Sequence, residues 1–217
     1  EELNRGNPRA PYEELKDIAG EDPLKTLHRW QRSFSLRDNS VVYDVFGGVM
    51  AAVTECDTCR GRSYAFDPFL DMSIPLPRIE HVLFDNLVHQ STTEEVIDVG
   101  QHFRCSKCKA VSSARRRQEV FKQPSSSVWH FKRFSSRGDK NCVQVLYTVR
   151  NVCGERTQNL VGVVCHMGSM TSGHYISYVR GSNGKWFLCN DRSISEVQAS
   201  DVINNADAYL LFFSSPQ

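Results

Sequence analysis

From Val49 onward the chain is a series of short apolar or alternating runs, Val49 to Thr54, Arg62 to Phe66, Val128 to Phe134, Leu160 to His166, His174 to Arg180 and Ala208 to Phe213, broken by Gly, Pro, Asn and Ser. Runs of this length between turn residues predict strands of an antiparallel sheet. Pro75 to Pro77, Ser91 to Glu95, Pro124 to Ser127 and Ser135 to Lys140 predict loops. The first part of the chain is different. Pro11 predicts a short helix through Tyr12, Leu15 and Ile18, closed by Gly20. Asp22-Pro23 then reads as the N-cap and first-turn proline of a second helix, with Leu24, Leu27, Trp30 or Gln31, and Phe34 on its buried face. Helices followed by many strands make the class α+β. The chain shows no internal repeat and no coiled coil.

Two short patterns carry chemistry. Cys56-x-x-Cys59 and Cys105-x-x-Cys108 are two thiolate pairs, each on a tight turn, and two such turns complete a four-sulfur structural zinc site. The run of about 45 residues between them exceeds the roughly 15 to 20 of a compact zinc ribbon, so long strands rather than local folding must bring the pairs together. The second pattern is a hairpin. Gly181-Ser182-Asn183-Gly184 is a turn between His174 to Arg180 and Lys185 to Asn190, and antiparallel pairing about it brings His174 close to Asn190 and Asp191. A histidine serves as general base when an Asn or Asp fixes its tautomer and ring orientation. Gly173 beside it would leave room for close approach of a narrow substrate chain.

Composition excludes more than it selects. At 217 residues and 40% hydrophobic side chains the chain can bury a substantial core, and a net charge of +1 gives no electrostatic footprint for nucleic acid. Arg115-Arg116-Arg117 reads as a solvated face. There is no apolar run of membrane-spanning length and no signal-peptide pattern. Four of the eight cysteines fall in CxxC pairs, which favours bound metal in a reducing compartment, cytoplasm or nucleus, over a disulfide framework.

Four blocks, in this order, resemble the ubiquitin-specific proteases, the papain-like deubiquitinases. They are Ser40-Val41-Val42-Tyr43-Asp44-Val45-Phe46-Gly47-Gly48 with Cys56-x-x-Cys59 and Phe66-Asp67-Pro68-Phe69-Leu70-Asp71; Cys105-x-x-Cys108; Trp129-His130-Phe131-Lys132-Arg133-Phe134; and a histidine box from Val163 through His174 and Asn190 to Tyr209-Leu210-Leu211-Phe212-Phe213. Glu2-Leu3-Asn4-Arg5 and Tyr12-Glu13-Glu14-Leu15 resemble the large multidomain members. The resemblance implies a papain-like palm with an antiparallel sheet, zinc-ribbon-like fingers and a helical thumb that is largely absent. It divides the chain into a helical lead-in at 1–39, fingers with a split zinc site at 40–127, and a palm with the histidine box at 128–217. It implies His174 as base, Asn190 as its orienter with Asp191 in support, and Gly173, Tyr175 and Trp186 on the substrate side. Met167 to Ser172 would gate the tail channel. The implied partners are ubiquitin and ubiquitinated proteins, with no nucleic acid and no membrane.

The family's nucleophile lies in a block resembling Gly-Asn-Thr-Cys at the start of a helix, and these residues contain no such block. Cys165 and Cys189 sit in apolar strand patterns, Cys142 and Cys153 in an irregular stretch without nucleophile context. His166 has no carboxamide at hairpin distance. The chain also starts at Glu1 without a methionine, so it reads as a fragment that is inactive alone; the alternative is a catalytically dead ubiquitin-binding module. Between Phe134 and Leu160 the family's Phe-Pro element is missing, which puts the palm's packing there in question. A missing thumb would leave apolar palm surface exposed.

Overall fold

The computed structural model describes residues 5, 11, 15, 18, 21–101, 103–153 and 156–216. Apart from Pro11, Leu15 and Ile18, the expected helix from Pro11 to Gly20 lies outside the described residues, as do most of the early positions that resemble multidomain family members. In chain order the elements are α1 (Pro23–Arg37), α2 (Val41–Phe46), β1 (Gly48–Cys56), β2 (Arg62–Phe69), β3 (Met72–Pro75), β4 (His81–Leu83), α3 (Phe84–Gln90), β5 (Glu95–Ile97) and β6 (Ala114–Lys122). They continue with β7 (Ser126–Lys132), β8 (Gln144–Leu146), β9 (Arg150–Cys153), β10 (Arg156–Gly168), β11 (Gly173–Arg180), β12 (Trp186–Asn190), β13 (Ser193–Val197), α4 (Ala199–Val202) and β14 (Ala208–Ser214).

The chain divides into two compact units, one of residues 1–70 and 92–124, the other of 71–91 and 125–217. The segments read from the sequence are 1–39, 40–127 and 128–217. Residues 71–91 belong with the C-terminal part because β3 pairs in parallel with β7, Met72 opposite Trp129 and Ile74 opposite Phe131.

In the first unit, α1 begins as its sequence predicts. Asp22 Oδ1 accepts from the Leu24 and Lys25 N–H groups, and Pro23 occupies the first turn, where no N–H is needed. The buried face is displaced from the expected one: Leu27 and Thr26 are buried, whereas Leu24 is 58% exposed. The Thr26 hydroxyl, bonded to Glu21 and to the Asp22 carbonyl, satisfies its polarity inside that face. Leu27 joins Val49, Ala51, Val53 and Phe66, with Trp30, Tyr64 and Phe121 packed around them. Behind this core lies an antiparallel sheet in the order β2-β1-β6-β5. The Arg115–Arg117 run is indeed a charged face, but it is also a strand. Arg115 bridges to Asp57 and Glu94, and Arg117 to Glu119.

The second unit is built on a sheet in the order β13-β12-β11-β10-β14-β7-β3, with β9 also on β10. It is mixed rather than purely antiparallel, since β3·β7 and the separate pair β4·β8 are parallel. Phe84 of α3 packs edge-on against Trp129 and stacked on Phe213. The stretch from Phe134 to Leu160 packs well despite its missing proline: Val143, Val145 and Tyr147 are buried, and the Tyr147 hydroxyl donates to Val202 O at 2.7 Å. Arg133 holds this stretch in place. Its guanidinium, 1% exposed, donates through Nε to Ala208 O and through one terminal nitrogen to Asn141 O and Val143 O, all at 2.7–2.9 Å. Met170, Tyr175, Val179 and Ile194 form exposed apolar surface in this unit.

No carboxylate is bonded to Arg133 among the described contacts, so its three carbonyl partners offset part of its desolvation, while its second terminal nitrogen is buried without a hydrogen-bond partner. Arg133→Met strands those carbonyls and is expected to destabilise the chain by about 3 kcal/mol or more in urea titration. A loss below about 1 kcal/mol would show that the carbonyls find other donors.

Candidate functional site

The two cysteine turns are built alike. In each, the first cysteine's carbonyl accepts from a residue four positions on, Arg60 N–H to Cys56 and Lys109 N–H to Cys105, and its own N–H reaches the carbonyl one residue later, Gly61 or Ala110. Arg60 and Lys109 both take the left-handed conformation, with φ of 55° and 63°. Each turn is a loop extension of a strand or bridge, and the long β1 and β6, paired from Cys56↔Ala114 to Val49↔Lys122, carry the two together. Polar links then join them directly: Thr58 Oγ1 donates to Ser112 Oγ at 2.8 Å, Ser113 Oγ to Asp57 Oδ2 at 2.7 Å, and Asp57 N–H to Ser113 O at 3.1 Å.

As a result, the four sulfurs lie within 4.8 Å of one another, with Cys59 and Cys105 at 3.7 Å and Cys56 and Cys108 at 4.0 Å. A tetrahedral four-thiolate centre with metal–sulfur bonds of about 2.3 Å has edges of about 3.8 Å, so the cluster could hold a metal ion. Its electrostatics point the same way. The Cys59 N–H pulls the Cys56 thiol down to about 6, and the Cys108 N–H lowers Cys105. Cys108 is helped towards thiolate by the Ala110 N–H, yet desolvation and the other sulfurs push it up to about 11. Without a cation the four cannot all ionise; with one they can.

The histidine box folds as the turn chemistry predicts. Gly181 N–H donates to Lys185 O at 2.8 Å, Asn183 Oδ1 accepts from Lys185 N–H at 3.1 Å, and β11 pairs with β12 from Arg180↔Trp186 to Ser177↔Cys189. Continuing that register places Ile176 opposite Asn190 and His174 on the diagonal, on the same face of the sheet. His174 Nε2 lies 2.7 Å from Asn190 Oδ1. The amide oxygen accepts, so Nε2 carries the proton and Nδ1 keeps its lone pair. Asp191 follows at φ 50° in the turn between β12 and β13, a conformation Asp tolerates, so its position has a structural reason of its own.

Of the other expected residues, Tyr175 is 54% exposed beside His174, whereas Trp186 is 4% exposed at the opposite end of the hairpin, some 13 Å of strand from Asn190. Trp186 is therefore a core residue with almost no surface for substrate. Gly173 is required for a reason other than substrate room: a Cβ there would lie 2.3 Å from His166 Nε2 and 2.6 Å from Met167 O. The expected mobile loop is a tight turn, in which Ser169 N–H donates to Ser172 O at 2.8 Å and Gly168 sits at φ 113°.

No cysteine among the described residues is bonded to His174. Cys165 is buried, and burial pushes its thiol up to about 12; Cys142 is exposed and donates to Lys140 O. The side chain of Cys153 lies outside the described residues. An aromatic group around the box went unread in the sequence: His166 lies 4.6 Å from Tyr175 and 5.3 Å from Phe134 between ring centroids, and Tyr209 lies 4.8 Å from His130. These residues are far apart in the chain, and only the pairing of β7, β10, β11 and β14 brings them together.

The Ubiquitin carboxyl-terminal hydrolase family profile matches residues 19–213. A Gallus gallus protein called Ubiquitin carboxyl-terminal hydrolase 2 is 31% identical over 229 residues, 98% of this chain and 63% of its own length. Arabidopsis thaliana Ubiquitin carboxyl-terminal hydrolase 25 is 30% identical over 88% of this chain and 30% of its own length. The chain thus spans less than two thirds of either relative. Among solved structures, the SAGA DUB module with Ubp8 bound to monoubiquitin superposes with a TM-score of 0.73 at 24% identity, covering 89% of this chain and 47% of that one. A yeast SAGA DUB module gives 0.71 at 25% identity, covering 91% and 46%. The fold is therefore that of the Ubp8 chains, with mixed sheets, few helices and a four-cysteine cluster. On the sequence match over residues 19–213, the chain belongs to the ubiquitin carboxyl-terminal hydrolase family.

Proposed function

We propose that this chain carries the base and its orienter for thiol-dependent hydrolysis of the isopeptide bond after the C-terminal glycine of ubiquitin, on a body that binds ubiquitin. The 2.7 Å contact between His174 Nε2 and Asn190 Oδ1 carries this reading. With Nε2–H held by Asn190, Nδ1 is the nitrogen that takes a thiol proton. The thiolate attacks the glycine carbonyl, the carbon–nitrogen bond breaks, and His174 returns the proton to the leaving lysine amine. Water activated by the same Nδ1 then hydrolyses the thioester. Asp191 borders the pair and supports Asn190, while exposed Tyr175 and the Gly173 backbone face the substrate tail. This reading takes the attacking thiol from outside these residues, whose sequence holds no Gly-Asn-Thr-Cys-like block. The reduced cysteines suit a cytoplasmic or nuclear site of action.

The cysteine cluster fits Zn²⁺, which prefers four-sulfur tetrahedral sites with no open position, so its role is structural. When bound, the ion supplies folding energy and neutralises the thiolates that Cys56, Cys59, Cys105 and Cys108 contribute.

Two outcomes test these statements. The chain alone is expected to bind ubiquitin without turning over a ubiquitin–fluorophore conjugate, while the longer product of the same gene turns it over. His174→Ala in that product should lower the rate by about 10⁴ or more, and Asn190→Ala by about 10² to 10⁴. A longer product that binds ubiquitin but never cleaves would make the protein a binder. For the metal, elemental analysis should find one zinc per chain, and cobalt substitution should give the visible spectrum of tetrahedral thiolate. Cys56→Ser and Cys105→Ser should lose the ion and lower the melting temperature, whereas a full complement of metal in both variants would sink the four-sulfur assignment.

A further inference from the structure

We propose that His166 is a positioning residue for His174: its ring fixes Gly173 and Tyr175, the two residues flanking the base, and so keeps the base aligned with Asn190. The inference rests on His174 and Asn190 acting as base and orienter.

A β-bulge creates the arrangement. The β10·β14 register runs Val164↔Leu210 and then Cys165↔Ala208, which leaves Tyr209 as the extra residue. Bulges re-aim the side chain of the bulged strand, and here Tyr209 lies 6.0 Å from the ring of His166, which is buried on one face of β10 as Cys165 is on the other. On its other edge β10 pairs with β11 without a shift, His166↔Tyr175, Met167↔His174 and Gly168↔Gly173. His166 thus reaches both neighbours of the base. It lies against Tyr175 at 4.6 Å, and its Nε2 occupies the space where a Gly173 side chain would begin, 2.3 Å from that Cβ position.

The backbone of His166 is held as firmly as its ring. Its N–H donates to Asp207 O at 2.9 Å, its carbonyl accepts from Lys140 Nζ at 2.6 Å, and Lys140 also bridges to Asp207 Oδ1 at 3.0 Å. Burial first, and then the Lys140 charge, favours the neutral ring. His166 Nδ1 is buried without a hydrogen-bond partner. A position that served packing alone would avoid that orphan with an apolar side chain. A five-membered ring is smaller than a phenyl, which lets it fit against Gly173 while its face stays tilted at 49° against Tyr175.

Long-range ¹H–¹⁵N spectra of the histidine-labelled 217-residue chain, with His174→Gln used for assignment, report the His174 tautomer directly. The unaltered chain should show a single tautomer with a slowly exchanging Nε2–H. His166→Ala should lose that signal and give tautomer-averaged shifts in a chain that remains folded by circular dichroism, and His166→Gln, whose amide reaches the same place, should restore it. Gly173→Ala keeps His166 but fills its space, and should reproduce the loss even where His166→Ala fails to fold. A single Nε2–H tautomer in folded His166→Ala or Gly173→Ala overturns the proposal. Averaging already present in the unaltered chain overturns instead the His174–Asn190 pairing beneath it.

Discussion

Everything in the C-terminal unit depends on the backbone pairing of β10, which bonds to β9, β11 and β14 along its thirteen residues. A strand paired on both edges has no freedom of register, and a slip of one residue would turn every side chain to the wrong face. The β11 register fixed by β10 sets where His174 stands, and the β14 register sets where Tyr209 stands. Of the two register shifts between β10 and β14, the bulge at Tyr209 falls beside the histidine box, within its packed aromatic group. His174 is thereby mounted on a strand whose register β10 sets, rather than on a loop.

The cysteine cluster solves a different problem. Closing a loop of some 45 residues costs chain entropy that two exposed turns cannot repay alone. Part of the closure is carried by β1 and β6, whose antiparallel ladder runs up to Cys56↔Ala114, and part by the Asp57, Thr58, Ser112 and Ser113 side chains that link the turns. These links owe nothing to a metal ion. Together with the ladder they bring the four sulfurs to near-tetrahedral spacing.

The sequence disclosed local features well and distant ones poorly. Asp22-Pro23, Gly181 to Gly184 and the CxxC turns each act over a few residues, and each does in the structure what its chemistry predicts. The strand β6 was hidden because its outward positions are Arg115, Arg116 and Glu119, a pattern that reads as solvated charge until cross-strand acids are placed opposite. Leu24 was expected inside because helical spacing allows it, but the face is centred on Leu27 and Thr26, and Thr26 is polar only until Glu21 satisfies it. Trp186 was placed on the substrate side by the family resemblance alone; four strand positions carry it from Asn190 to the other end of the hairpin, where it is buried. His166 was set aside as a base for want of a carboxamide at hairpin distance, and its contacts with Tyr175, Tyr209 and Lys140 could not be read because they come from other parts of the chain.

Geometry and electrostatics are not equally developed at the His174–Asn190 pair. The hairpin presets the distance, but both side chains are exposed, and an exposed neutral hydrogen bond contributes only about 0.5–1.5 kcal/mol. The same bond grows stronger once water is excluded and its dielectric falls. The strands therefore set the distance and direction of the pair while leaving it open to solvent, and on the function proposed above its hydrogen bond reaches full strength only when the site is covered, in the same event that assembles the reacting groups.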